Sequence, residues 1–259
     1  MDLGISGRKA IVCASSRGLG RACAFALAQA GCELVVNGRD GKTVAAAAEE
    51  LRRTTAAKVT AVVADVATAE GQAALLGACA EPDILVNNNA GPPFRDFREL
   101  TRAQMIDGVI ANMVVAIELT QKVIDSMCAK NFGRIVNITS GSVKMPLSGL
   151  DLSSGARAGL TAFLAGVARS VAASNVTINF LLPGAFDTER LASNMAMTAK
   201  KRDISIEETR KERMASVPAK RFGTPAEFGD ACAFLCSAQA GYITGQSLLI
   251  DGGIYPGVL

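Results

Sequence analysis

In the stretch GLDLSSGARAGL, residues 149–160, Ser153 and Arg157 stand four apart at the start of a predicted long helix. That spacing puts them on one helical face, where a hydroxyl and a guanidinium can meet one ligand. Such a pair is either a reaction centre or the place where one has been lost. A second chemical feature is CASSRGLGRACAFALAQAG, with Gly18 and Gly20 at a predicted strand-to-helix turn. Glycine there lets the backbone approach a phosphate, and the free N–H groups of the helix amino terminus face its charge. The spacing is not G-x-G-x-x-G, so context must carry the assignment.

The next predicted strand ends in VVNGRD, about 20 residues on, where an NAD-binding protein usually places an acid on the ribose hydroxyls. Gly38 and Arg39 stand there instead, and Arg17 lies inside the glycine turn. Two guanidinium groups at that corner suit a 2′-phosphate through charge-assisted bidentate bonds, which favours NADP(H). Asp40 works against this, and either arginine alone would pass for a surface residue.

The elements that must position these groups follow a rhythm. The β-rich runs KAIVCAS, CELVVNG, KVTAVVADV, DILVNNN, GRIVNIT, VTINFLLPG and QSLLIDGG alternate with helical segments. This predicts an α/β fold, a Rossmann-type doubly wound parallel sheet with helices on both faces, in three layers. Residues 41–55 and 101–131 read as helices, the second long and polar at intervals that suit packing on another subunit. Residues 188–215 are charge-rich and mixed in sign, a solvated helical pair or a lid over a strand's carboxyl end.

At 259 residues the chain is expected to form a single domain, 1–259, with that insertion inside it. Twenty-seven basic against 24 acidic residues leave +3, too little to indicate nucleic acid or an anionic membrane. The seven cysteines lie mostly in apolar runs without a C-x-x-C pair, and there is no histidine, so no metal site is expected and the thiols should be buried and reduced. The amino-terminal apolar run is shorter than a signal-peptide core, and no apolar run approaches the roughly 20 residues that span a bilayer. A cytoplasmic protein is predicted.

In order along the chain come the glycine turn, ADV at 64–66, NNNAG at 87–91, Asn112, NITSGS at 137–142, PGAFDT at 183–188 and DGG at 251–253. On these motifs the chain resembles the classical short-chain dehydrogenase/reductases over essentially its whole length, and most of all the 3-oxoacyl-acyl-carrier-protein reductase group. The resemblance makes Ser15, Arg17, Gly18, Leu19 and Gly20 the pyrophosphate turn and Asp65 and Val66 the adenine contacts. It makes Asn87 the start of the nicotinamide-ribose wall, with Pro183, Gly184 and Thr188 flanking the nicotinamide. Ala14 replaces the first glycine of T-G-x-x-x-G-x-G. Aligned without a gap, Asn89 takes an alanine position and Ala90 a glycine position before Gly91, so which of Asn87, Asn88 and Asn89 touches the cofactor stays open.

The larger departure is at the opening pair. The family carries Tyr-x-x-x-Lys 13 residues after its serine; counting from Ser140 gives Ser153 and Arg157. Asn112 and Ser140 are retained while tyrosine and lysine are replaced. A phenol begins near pKa 10, whereas a serine hydroxyl is several units less acidic and shorter by about a ring. A water fits the vacated volume. Arg157 can still hold the nicotinamide-ribose hydroxyls, but does not readily pass protons. The only tyrosines, Tyr242 and Tyr255, lie away from the catalytic strand ends in the family layout. Lys144 is a candidate to overhang the cleft, or an exposed loop lysine.

The implied catalytic set is therefore Asn112, Ser140, Ser153 and Arg157. The implied activity is NADP(H)-dependent hydride transfer to or from a carbonyl or alcohol, 3-oxoacyl-type or another hydrophobic ketone. The alternatives are a catalytically silent NADP(H)-binding sensor or partner subunit and, behind it, a lyase or isomerase on the same fold. The helices around Asn112 and after Ser153 resemble the family's dimer-forming pair, implying a homodimer or homotetramer.

Overall fold

A computed structural model of the chain describes residues 2–92 and 94–257; Pro93, just after the NNNAG motif, lies outside the described residues. Seven strands, β1 Lys9–Val12, β2 Glu33–Gly38, β3 Val59–Val63, β4 Ile84–Asn87, β5 Gly133–Ile138, β6 Val176–Pro183 and β7 Ser247–Ile250, form one parallel sheet. Their order is β3-β2-β1-β4-β5-β6-β7, and each lies inside a run the sequence marks as β-rich.

The near-continuous apolar character of these runs has its reason in the layers. β4 and β5 are buried at every position, because helices cover both faces of a parallel sheet. On one face lie α1 Gly18–Gln29, α2 Gly41–Thr55 and α9 Pro225–Cys236, contributing Leu27, Leu51 and Phe228. On the other lie α3 Ala69–Ala78, α5 Val115–Ala129 and α6 Asp151–Val171, contributing Leu75, Leu119 and Leu160. β1 pairs with β2 on one side and β4 on the other. Strand order reverses there, and the connections diverge to leave a crevice at the carboxyl ends, the usual ligand site of such sheets.

The helix starts follow capping chemistry. Asp40 accepts from the Thr43 N–H at 2.8 Å to open α2, which occupies the predicted 41–55. Thr224, with Glu227 in a reciprocal box and Pro225 at the first position, opens α9. The predicted helix at 101–131 is one continuous run, α4 Arg102–Val109 joined to α5 by a π-helical turn, Ile110–Val114. Contrary to the expectation from sequence, this run is long and apolar enough to cross a membrane by length and composition alone, with mean hydropathy 1.3. Val115, Leu119, Val123 and Met127 are instead buried on the protein side. Residues 188–215 form two helices, α7 Glu189–Arg202 and α8 Ile206–Ser216.

Candidate active site

A cleft of about 950 Å³ opens over the carboxyl ends of the strands, from the glycine turn after β1 to the α7–α8 pair. At its first end Gly18 has φ +59° and open space where a Cβ would lie, while a Cβ on Gly20 would come 2.4 Å from the Ala14 carbonyl oxygen. α1 starts at Gly18 without a side-chain cap, which leaves its first N–H groups for a ligand. A bare backbone cradle with an uncapped helix end fits a dinucleotide pyrophosphate. Arg17, Gly18 and Leu19 line the cleft. Ser15 is fully buried beneath it, donating to the Val12 carbonyl at 2.7 Å and accepting from the Asn37 N–H at 2.9 Å; the neighbouring Ser16 reaches the cleft instead.

At the end of β2, a Cβ on Gly38 would lie 2.8 Å from Ser16 Oγ and from Val44 Cγ2, so any side chain there would have to displace both. Arg17 and Arg39 both face this corner, each in a long, exposed ion pair, Arg17 to Glu189 at 3.7 Å and Arg39 to Asp65 at 3.8 Å. Asp40 is committed to its helix: hydrogen bonds from Thr43, and more weakly the charge of Arg17, hold its carboxyl below the ordinary range. Asp65 and Val66 line the same end.

Of the three asparagines that end and follow β4, Asn88 and Asn89 reach the cleft with Ala90 and Gly91. Asn87 does not. Its amide donates to Asn137 Oδ1 at 2.9 Å, and its own Oδ1 has no partner among the described residues. It borders a separate cavity of about 20 Å³ with Asn112 and Arg157. Asn112, in the π turn, donates to the Gly108 carbonyl at 3.1 Å and likewise leaves a buried Oδ1 unpartnered. Two orphaned oxygens beside a guanidinium in a space of that size suit one ordered water.

At the other end, Ser140, two residues beyond β5, accepts from the Ser142 N–H at 3.1 Å and lines the cleft. Ser153 and Arg157 are 7% and 8% exposed on the first turns of α6. Arg157 Nε donates to Ser153 Oγ at 3.3 Å and Nη1 to the Ile138 carbonyl at 2.7 Å. Because Ser153 Oγ accepts from a cation, its O–H is left to donate into the cleft. Burial, and secondarily the charge of Arg190, pull the Arg157 guanidinium down to about 10, so it stays a cation at neutral pH. Pro183, Gly184 and Thr188 close this wall. Gly184 is bare because a Cβ would meet Asp251 Cα at 2.6 Å, and Thr188 caps α7 by accepting from the Leu191 N–H at 3.3 Å.

Met145 and Leu147 in the loop 141–152 and Arg190, Asn194 and Arg213 in 188–215 also line the cleft, as do Phe94 and Tyr255, which no motif marks. Tyr255 corrects an expectation outright. Gly252 and Gly253, at φ +68° and +88°, reverse the chain after β7. The Tyr255 N–H then donates to Asp251 Oδ2 at 2.8 Å, the ring lines the cleft, and the Lys144 ammonium lies 5.8 Å from its centroid.

A family model described as enoyl-(acyl carrier protein) reductase matches residues 13–255. A 3-oxoacyl-(acyl-carrier-protein) reductase of Aquifex aeolicus (strain VF5) is 30% identical over 98% of this chain and 100% of its own length. An NADPH-dependent reductase of Bacillus subtilis (strain 168) is 29% identical over 96% of this chain and 98% of its own. Among solved structures, L-sorbose reductase from Gluconobacter frateurii, in complex with NADPH and L-sorbose, superposes with a TM-score of 0.94 at 27% identity, covering 100% of both chains.

Proposed function

This chain belongs to the classical short-chain dehydrogenase/reductases, related to the 3-oxoacyl-(acyl-carrier-protein) reductases, and from that premise we propose that it is an NADP(H)-dependent oxidoreductase acting on a hydrophobic carbonyl compound or the corresponding alcohol. The observation that carries the reading is the bond from the buried Arg157 cation to Ser153 Oγ in the same cleft that the glycine turn lines. When bound, the nicotinamide supplies or accepts the hydride.

The chain's own part is positioning and proton handling. Ser140 and Ser153 hydrogen-bond the substrate oxygen. Arg157 makes the Ser153 O–H a better donor by holding its oxygen, and its remaining N–H groups suit ribose hydroxyls. A serine so held is still a weak acid, so the proton comes from water, for which the cavity between Asn87, Asn112 and Arg157 gives a place. Hydride transfer depends chiefly on orientation, which this arrangement retains. Arg17 and Arg39 select the 2′-phosphate; Gly18, Leu19 and Gly20, supported by Ser15, form the pyrophosphate turn; Asp65 and Val66 take the adenine. Asn89, Ala90 and Gly91, backed by Asn87, bound the nicotinamide half with Pro183, Gly184 and Thr188. We read the chain as one dinucleotide-binding domain with 188–215 as its lid. A cytoplasmic setting agrees with its seven free thiols.

The test is NADPH oxidation against a carbonyl panel, with NADPH affinity measured separately by fluorescence. Turnover is expected, and Ser153→Ala should lower kcat about 100-fold, the scale for removing one donor to a developing oxyanion, with NADPH affinity unchanged. Tight NADPH binding without turnover on any carbonyl would transfer the assignment to a silent coenzyme-binding protein, the reading favoured by the short reach of Ser153. Restoring Ser153→Tyr with Arg157→Lys separates the two: a large gain marks a degraded site, a loss marks a working one.

A further inference from the structure

The segment from α7 to the start of α9 carries arginines at 190, 202, 210, 213 and 221. Three are matched by carboxylates: Arg202 by Glu212, Arg210 by Asp187 and Arg221 by Glu227. Arg190 and Arg213 have no acid partner among the described residues, and both line the cleft. On α8, Arg213 stands between buried Thr209 and Val217 at four-residue spacing, in the inward stripe of an otherwise charged helix. Val217 is pinned against Gly252, whose Cβ would come 2.9 Å from it, which fixes the direction of that stripe. Burial lowers the Arg213 guanidinium below its ordinary value, with no carboxylate to offset the loss of water.

The acids of the cleft are engaged elsewhere. Asp40 caps α2, Asp65 faces Arg39, Glu189 faces Arg17, and Asp251 accepts from the Gly253 and Tyr255 N–H groups. A half-buried, unpaired guanidinium costs stability unless a ligand pairs it, and its planar fork matches a carboxylate or phosphate.

We infer that the substrate carries an anionic group, a carboxylate or a phosphate monoester, and that Arg213 binds it. The expected substrate is then an amphiphile, its carbonyl at Ser140 and Ser153, its chain against Phe94, Met145 and Leu147, and its charge on α8. This rests on reading the cleft as the site of carbonyl chemistry.

Calorimetric titration of hexanoate against hexanamide, and of 4′-phosphopantetheine against pantetheine, into the protein with and without NADP+ tests it. The acid of at least one pair should bind at least tenfold tighter than its neutral analogue, and the pair identifies which anion is taken. Arg213→Met should erase that preference while leaving Tm unchanged or higher, since methionine fills the space without an unpaired charge. No preference in either pair, a preference abolished by Arg39→Met but kept in Arg213→Met, or a fall in Tm in Arg213→Met would overturn the inference. Because binding is read directly, an Arg213-dependent preference without turnover would refute the oxidoreductase reading alone, and turnover of neutral ketones without the preference would refute only the anion site.

Discussion

Ala14 shows how one residue records the demands of a nucleotide turn. It sits at φ +45°, in the left-handed region, where the family has glycine. A left-handed non-glycine residue costs roughly 1–2 kcal/mol, and glycine's extra unfolded-state freedom returns about 0.5–1 of that. Ala14→Gly is therefore expected to stabilise the protein by about 0.5–1 kcal/mol, a rise in Tm of a few degrees for a domain of this size. A fall in Tm would show that the turn tolerates alanine without strain. At this scale the sequence is informative wherever spacing alone fixes geometry, as with Ser153 and Arg157, four apart and in contact. It misleads where the direction of a side chain or a chain reversal decides. Ser15 belongs to the turn but points beneath it, with Ser16 taking the cleft. Tyr255 returns to the site only because two left-handed glycines follow β7.

Elements are legible when burial imposes a period. The seven strands and α2 stand where apolar runs and caps place them; for inner strands such as β4 and β5, cover on both faces leaves no other pattern open. The π turn at 110–114 was not legible, since one extra residue in a turn leaves the apolar count unchanged while setting Asn112 beside Arg157. Nor does charge patterning alone show that α7 reaches back across the cleft. Its first residue, Glu189, faces Arg17 of the glycine turn at 3.7 Å, with both side chains largely exposed. Such a pair is worth about 0–1 kcal/mol, yet it competes for the arginine that a 2′-phosphate needs and adds a negative charge beside it. Glu189→Gln should consequently tighten NADPH binding by about two- to fivefold, an effect of that same energy, and leave NADH affinity unchanged in a fluorescence titration. Equal tightening for both coenzymes would place Glu189 near the shared pyrophosphate and away from the phosphate corner.

For the whole molecule, the covered sheet and the exposed helices pull in different directions. The inner strands are sealed on both faces, yet the run 102–129, apolar enough to resemble a membrane segment, is only 28% buried over its most apolar window. Met105, Ile106, Val109 and Ile110, spaced as one helical stripe, are each 37–49% exposed, and Phe163 on the adjoining α6 is 49% exposed. We propose that this stripe of large apolar residues, on the two helices that frame the reaction end, is a surface for association. A second copy of this chain is the occupant the resemblance implies, and it would clamp α4 and α6, which already meet where Leu152 fills the space beside Gly108. Sedimentation should therefore give a dimer or tetramer at micromolar concentration, well above the 26.8 kDa of one chain. Burying a side chain such as Ile or Phe gains about 1.5–3 kcal/mol, and placing a carboxylate in such an interface reverses that gain. Ile106→Glu with Phe163→Glu should yield a monomer of unchanged circular dichroism whose turnover falls because α6, carrying Ser153 and Arg157, loses its outer support. A wild-type chain that sediments as a monomer would remove the association, and a double variant that stays assembled would move it to another face.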